Sequence, residues 1–139
     1  MAKVYYRWRQ HRETQYYFMK APDIISVTEK HPPSVIKSVY HAKDFMNTHI
    51  DHHLVLKSLA LRAGTNEYTL KKGFKDILKT SVYQYLLKIR MEYALQLITG
   101  TNKNETEIAR LCGYKTLSGF VTTFHKYHGN RPGVLRKYL

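Results

Sequence analysis

EIARLCGYKTLSGFVTTFHKYHGNRP, residues 107 to 132, lays out a short helix, a glycine turn and a second helix. Glu105 to Leu111, which begins just before this stretch, supplies the first, Gly113 the turn, and Thr116 is suited to cap a helix that runs to about His128, where GNRP ends it. One feature of this layout is unexpected: Leu117 to Phe124 carries no charged residue, although the chain has a formal net charge of +13.

The same layout occurs earlier in the chain. LALRAGTNEYTLKKGFKDIL, residues 59 to 78, spaces Ala60 and Gly64 as Ala109 and Gly113 are spaced. An apolar pair four residues apart follows each glycine, Leu70 with Phe74 and Phe120 with Phe124. The copies are offset by 49 residues at the alanines and by 50 at the apolar pairs, so the second turn holds one extra residue. A small alanine lets two helices approach, a glycine permits the sharp turn, and the apolar pair pins the second helix with its other face outward. A single A-x-x-x-G is common among helix pairs. Two copies at matched spacing point to two helix-turn-helix units, at about 54–79 and 105–128.

Helical periodicity extends over everything from Ser34 onward. Val35, Ile36, Val39, Ala42, Phe45, Met46 and Ile50 recur at the spacing of one helix face, with Ser34 as the expected N-cap. Leu56, Leu59, Ala60 and Ala63 share a face and stop at Gly64. Asn66 is placed to cap a helix with the stripe Leu70, Phe74, Ile77 and Leu78. Ser81 is placed to cap a longer linking helix, about 82–98, which buries Tyr85, Leu86, Ile89, Ala94, Leu97 and Ile98. Gly100 and TNKN break that helix, and Pro132 opens a last short one through Tyr138. No stretch alternates with a period of two, so the fold class is all-α, about seven helices in a domain over residues 34–139. Residues 1–33 differ: VYYRWRQHRETQYYFMK sets six aromatics among basic residues, and KHPPS then breaks the chain. They are expected to be an arm or the remnant of a sensing domain.

Composition narrows the partner. Lys and Arg number 23 against 10 acids, with a pI near 9.8. Residues 35–139 alone hold 17 Lys and Arg against seven Asp and Glu. Such a balance points to a polyanion, either nucleic acid or an anionic membrane surface. No apolar run approaches the ~18 residues of a spanning helix, and the N-terminus lacks the apolar core of a signal peptide. The single Cys112 excludes an internal disulfide framework and fits a reducing, cytoplasmic setting.

Taken together, the residues resemble the DNA-binding domain of the AraC/XylS transcriptional regulators over roughly 35 to 139. The anchors are Leu56-x-x-Leu59-Ala60-x-x-x-Gly64, Leu70-x-Lys72-x-Phe74-Lys75 and Tyr85-Leu86-x-x-x-Arg90-x-x-x-Ala94-x-x-Leu97. They continue through Glu107-Ile108-Ala109-x-x-x-Gly113-Tyr114, Phe120-x-x-x-Phe124-x-Lys126 and Gly129-x-x-Pro132-x-x-x-Arg136. GTNEYTLKKGFK with Arg90-Met91 resembles the subset tied to siderophore and iron-uptake regulators. Three positions depart from the pattern: Lys79 replaces a usual glycine, Val82 a frequent proline, and Arg131 a usual Ser or Thr.

The resemblance implies reading positions. Tyr68, Lys71 and Lys72 of the first unit would face bases, as would Leu117, Ser118 and Thr122 of the second, with Gly119 and Thr123 beside them. Lysine donates to guanine O6 and N7, an aromatic ring or Leu117 covers a thymine methyl, and hydroxyls serve several base edges. Glu67 is expected to favour its helix N-terminus rather than to read a base. Asn66, Lys75, Ser81, Lys115, Thr116, His125, Lys126, Arg131 and Arg136 are the expected phosphate-contacting or positioning residues. Because hydroxyl contacts discriminate less than lysine contacts, the first unit is expected to supply most of the base readout.

Function follows as an expectation: sequence-specific binding of double-stranded DNA by a bacterial transcription regulator that recruits or blocks RNA polymerase. With two units in one chain the domain binds as a monomer, and any dimerisation of a full-length protein is left to a preceding sensing domain, for which 33 residues are too few. The rival from another class is a basic helical module that binds an anionic membrane or an acidic protein through the aromatic arm. No cofactor is expected. Neither HIDHH at 49–53 nor HKYH at 125–128 has a cysteine partner or an H-E-x-x-H pattern, so no metal site is assigned. Nothing positions a nucleophile beside a base, so an enzyme is not expected.

Overall fold

The computed structural model describes residue 26 and residues 29–138, so most of the aromatic arm, and with it VYYRWRQHRETQYYFMK, lies outside the described residues. Among the described residues seven helices follow one another without a strand: α1 (Pro33–Thr48), α2 (Leu56–Arg62), α3 (Glu67–Leu78), α4 (Val82–Gly100), α5 (Glu105–Leu111), α6 (Leu117–His128) and α7 (Pro132–Lys137). None is long and apolar enough to cross a membrane.

Local chemistry sets most helix starts. Asn66 accepts from the Thr69 amide at 2.9 Å and Thr116 from the Gly119 amide at 3.1 Å. Ser81 with Gln84, and Asn104 with Glu107, form reciprocal capping boxes at the starts of α4 and α5. The first helix departs from expectation. Ser34 is not its N-cap; Pro32 holds that place in an extended conformation, and no side chain caps the end. Pro33 fills the first helical position, where its fixed φ suits the helix and its missing N–H would have had no partner anyway. The linking helix also runs two residues beyond Ile98, taking in Gly100.

The molecule has two cores threaded on one helix. The first gathers α1, α2, α3 and the start of α4, with Val39, Met46, Leu59, Leu70, Phe74, Tyr85 and Ile89 buried. The second gathers the rest of α4 with α5 and α6, burying Met91, Ala94, Ile98, Ile108, Cys112, Phe120 and Phe124. On α4 the change from one core to the other falls between Ile89 and Met91. Val82 and Met91 are buried as well, so α4 is covered over more of its circumference than a single stripe would need. The packed chain also takes in His31, which is buried with its Nε2 2.8 Å from Asp76 Oδ2 on α3.

Candidate nucleic-acid interface

In the first unit, α3 buries Leu70, Phe74 and Ile77, which leaves Tyr68, Lys71, Lys72 and Lys75 on its exposed side. Tyr68 is 74% exposed. A large aromatic held outward beside three lysines has the composition of a surface that meets both base edges and phosphates. Glu67 stands in the first turn, next to the free amides of the helix start.

In the second unit, α6 buries Phe120 and Phe124 and exposes Leu117, Ser118, Thr122, His125 and Lys126. Leu117 is 40% exposed. Gly119 and Thr123 are half-buried, and the Thr123 hydroxyl donates to the Gly119 carbonyl at 2.8 Å, so it is engaged inside its own helix. With an offset of 50, Tyr68, Lys72 and Lys75 correspond to Ser118, Thr122 and His125. Lys71 corresponds to Val121, which is half-buried against the second core, so the two stripes are not of equal width.

The expected positioning residues fall into two groups. Lys115, Arg131 and Lys126 are exposed and carry charge at or near the ends of α6 and at the start of α7. Asn66, Ser81 and Thr116 use their side-chain oxygens to cap α3, α4 and α6. Arg136 is half-buried and turned toward the end of α4. Its Nε donates to the Ile98 carbonyl at 3.4 Å, and its Nη2 is shut off from solvent with no partner.

Two of the clustered histidines are held locally. His49 Nδ1 lies 2.9 Å from the Phe45 carbonyl while its ring stacks on Phe45, and His128 Nε2 lies 2.9 Å from the Met91 carbonyl. Among the described residues no group of three metal-ligating side chains converges. The Asp76 carboxyl is held below the usual carboxylate range by its hydrogen bond with His31, helped by the charges of Lys72 and Lys30. Burial pushes the Cys112 thiol up to about 12, which suits a core residue and not a reactive one.

Sequence reasoning gave Arg90 a place in the pattern but no task. Arg90 is half-buried at the midpoint of α4; its Nε donates to the Ile50 carbonyl at 3.0 Å and its Nη2 to the His52 carbonyl at 2.9 Å. The available signal was a charged residue set between two apolar ones, Ile89 and Met91, both of them buried.

Residues 59–138 match the sequence family described as Helix-turn-helix domain. The lactose operon transcription activator of Staphylococcus xylosus is 34% identical over 108 residues, covering 78% of this chain and 38% of that protein. Among solved structures, the C-terminal domain of AraT, a response regulator from Geobacillus stearothermophilus, has a TM-score of 0.70 at 32% identity, covering 73% of this chain and 85% of that one. A transcriptional regulator of Chromobacterium violaceum, from the AraC-type DNA-binding domain-containing proteins, has a TM-score of 0.67 at 26% identity, covering 72% and 89%. The chain spans about a third of the length of the curated relatives it matches.

Proposed function

The chain belongs to the AraC-type helix-turn-helix family of DNA-binding transcription regulators, and on that premise we propose that it binds an asymmetric promoter site as a monomer, laying α3 and α6 into successive major-groove segments. The observation that carries this reading is the pair of outward stripes, Tyr68, Lys72, Lys75 and Ser118, Thr122, His125, in one register of a 50-residue repeat on a shared helix. The 19 residues of α4 span about 28 Å at ~1.5 Å per residue. One turn of B-DNA is ~34 Å. Closing that gap bends the DNA, at a cost of order 1–6 kcal/mol.

Base readout is assigned to Tyr68, Lys71 and Lys72, with Leu117, Ser118 and Thr122 reading less stringently. Lys75, Lys115, His125, Lys126 and Arg131 supply phosphate contacts. Asn66, Ser81 and Thr116 position the helices they cap. Bound at a promoter, and so in the bacterial cytoplasm, the protein recruits or blocks RNA polymerase. The resemblance of GTNEYTLKKGFK with Arg90-Met91 to siderophore and iron-uptake regulators makes such promoters the first targets to offer.

Selection from a random DNA pool, followed by electrophoretic shift, tests the reading. One enriched motif with two segments about one turn apart is expected, and its affinity should fall with salt at a log–log slope of about −0.9 per phosphate neutralised. No enrichment, or a slope near zero, would sink it. On a base-scanned site, Lys71→Ala with Lys72→Ala should relax specificity more than Leu117→Ala with Ser118→Ala. The reverse order would overturn the assigned asymmetry.

A further inference from the structure

We infer that Arg90 is a positioning residue for DNA binding: it ties the first unit to the turn of the second, and so sets the spacing between DNA segments that the domain accepts. The inference rests on the proposed reading of two groove segments. Its ground is where Arg90 lies and what it touches. The buried residues of α4 pass from the first core to the second between Ile89 and Met91, while half-buried Leu87 already packs on the second, so the two units meet around Arg90. Arg90 reaches away from that junction to both sides. Its Nε and Nη2 donate to the Ile50 and His52 carbonyls, in the loop between α1 and α2. Its Cζ lies 5.8 Å from the centre of the Tyr114 ring, in the turn of the second unit.

The fit at that turn is close. A Cβ built on Gly113 would stand 2.6 Å from Arg90 Nη2, 2.8 Å from its Cζ and 2.9 Å from the Ile50 carbonyl oxygen. Gly113 therefore serves twice: it takes a φ of 82° and it leaves room for the guanidinium and the neighbouring loop. The equivalent Gly64 has nothing within 4 Å of such a Cβ. Only the second turn is built around a cross-tie.

Arginine is the side chain this task needs. Its planar fork reaches two carbonyls at once and lies against an aromatic ring, which the single ammonium of lysine does not reproduce. Burying a charge adds little net stability compared with a well-packed apolar residue. A half-buried arginine at the junction is thus explained better by the orientation it fixes than by the stability it adds.

The test uses the full chain with Arg90→Ala and Arg90→Lys, on the selected site and on the same site with one base pair inserted or removed between its segments. The unaltered protein should prefer the natural spacing by about tenfold or more, and Arg90→Ala should lose most of that preference, with Arg90→Lys in between. A DNA-free readout accompanies it: spin labels at Lys75→Cys and His125→Cys, exposed positions on the two reading helices. The buried Cys112 stays unlabelled in the folded protein. The inter-label distance distribution should be narrow in the unaltered protein and broad in Arg90→Ala. Retained spacing preference with an unchanged distribution overturns the inference. If Arg90→Ala does not fold, Arg90→Lys, which keeps charge and stem, decides by the same two readouts. If the unaltered protein selects no two-segment motif, the DNA reading fails, and the distance distributions alone judge the tie.

Discussion

The first helix-turn-helix unit ends its reading helix on Lys79 at φ 59°; the second ends on Gly129 at φ 81°, fifty residues later. Behind those ends the units agree closely. Leu59, Ala60, Ala63, Leu70 and Phe74 are buried, and so are their counterparts Ile108, Ala109, Cys112, Phe120 and Phe124. In front they diverge, since lysines and a tyrosine on α3 face the same way as hydroxyls and a histidine on α6. They also differ in support. α4 backs both, but α1 packs along α3, whereas α7 packs on α6 and α4 in the second unit. The repeat is thus a repeat of buried side chains: packing fixes the backbone plan, while the exposed positions are free to specialise.

The largest test of that likeness strikes the equivalent core residues. Phe74 and Phe124 are both fully buried, and replacing either by alanine should remove about 3–5 kcal/mol. Because the cores divide at Arg90, the losses should be local. In native-state hydrogen exchange, Phe74→Ala should weaken protection in α2 and α3 more than in α5 and α6, and Phe124→Ala should do the opposite. Equal loss across both units in both variants would mean that α4 couples them into one cooperative body.

The two turns come next, and here the likeness should break. Gly64→Ala forces an L residue into the left-handed region at roughly 1–2 kcal/mol, softened by the lower entropy of the unfolded chain. Gly113→Ala carries that strain and also meets Arg90 and the Ile50 carbonyl, adding about 1–3 kcal/mol of overpacking. Thermal melts should therefore rank Gly113→Ala well below Gly64→Ala. Equal melting would show that Arg90 swings aside without loss, and that the second turn is no more constrained than the first.

How much of this was legible in the sequence depends on the range of each interaction. Asn66, Ser81 and Thr116 were readable as caps because their partners lie three residues away. The buried stripes were readable from spacing alone. Ser34 has the chemistry of a cap, but the helical start is set by the proline before it, which competes for the same few positions. Arg90 carried no readable task, since it bonds main-chain carbonyls 40 and 38 residues away, and carbonyls leave no mark on the side-chain pattern. At the interface, exposure of Tyr68, Lys72, Ser118 and Thr122 follows directly from burial of Phe74 and Phe124.

A smaller effect separates the two helix ends. Lys79 is, among the described residues, the non-glycine residue with positive φ, in the place that glycine usually takes after a helix. Its presence does not blunt the end of α3, which stops at Leu78. Lys79→Gly should stabilise the protein by about 0.5–1 kcal/mol, the left-handed strain less the added freedom of the unfolded chain. Gly129→Ala should destabilise it by a similar amount, and urea unfolding would read both. If both substitutions shifted stability in the same direction, backbone conformation would not be what distinguishes the two ends.

The smallest contrast is one of pH. Each reading helix has a histidine contact, but only the contact on α3 involves a carboxylate: His31 with Asp76, against His128 with the Met91 carbonyl. Asp76 titrates lower in the fold than its ordinary value, chiefly through that hydrogen bond. A group with a depressed folded pKa contributes stability above its unfolded pKa and loses it as pH falls through the folded one. His31→Ala should therefore be less stable than the unaltered chain at neutral pH, and part of the gap should close as the solution is taken down through the carboxylate range. Unfolding curves from pH 7 to pH 2 measure that closure. A gap that stays constant over the whole range would reduce His31 to packing alone, and the histidine contacts of the two units would then be alike in kind.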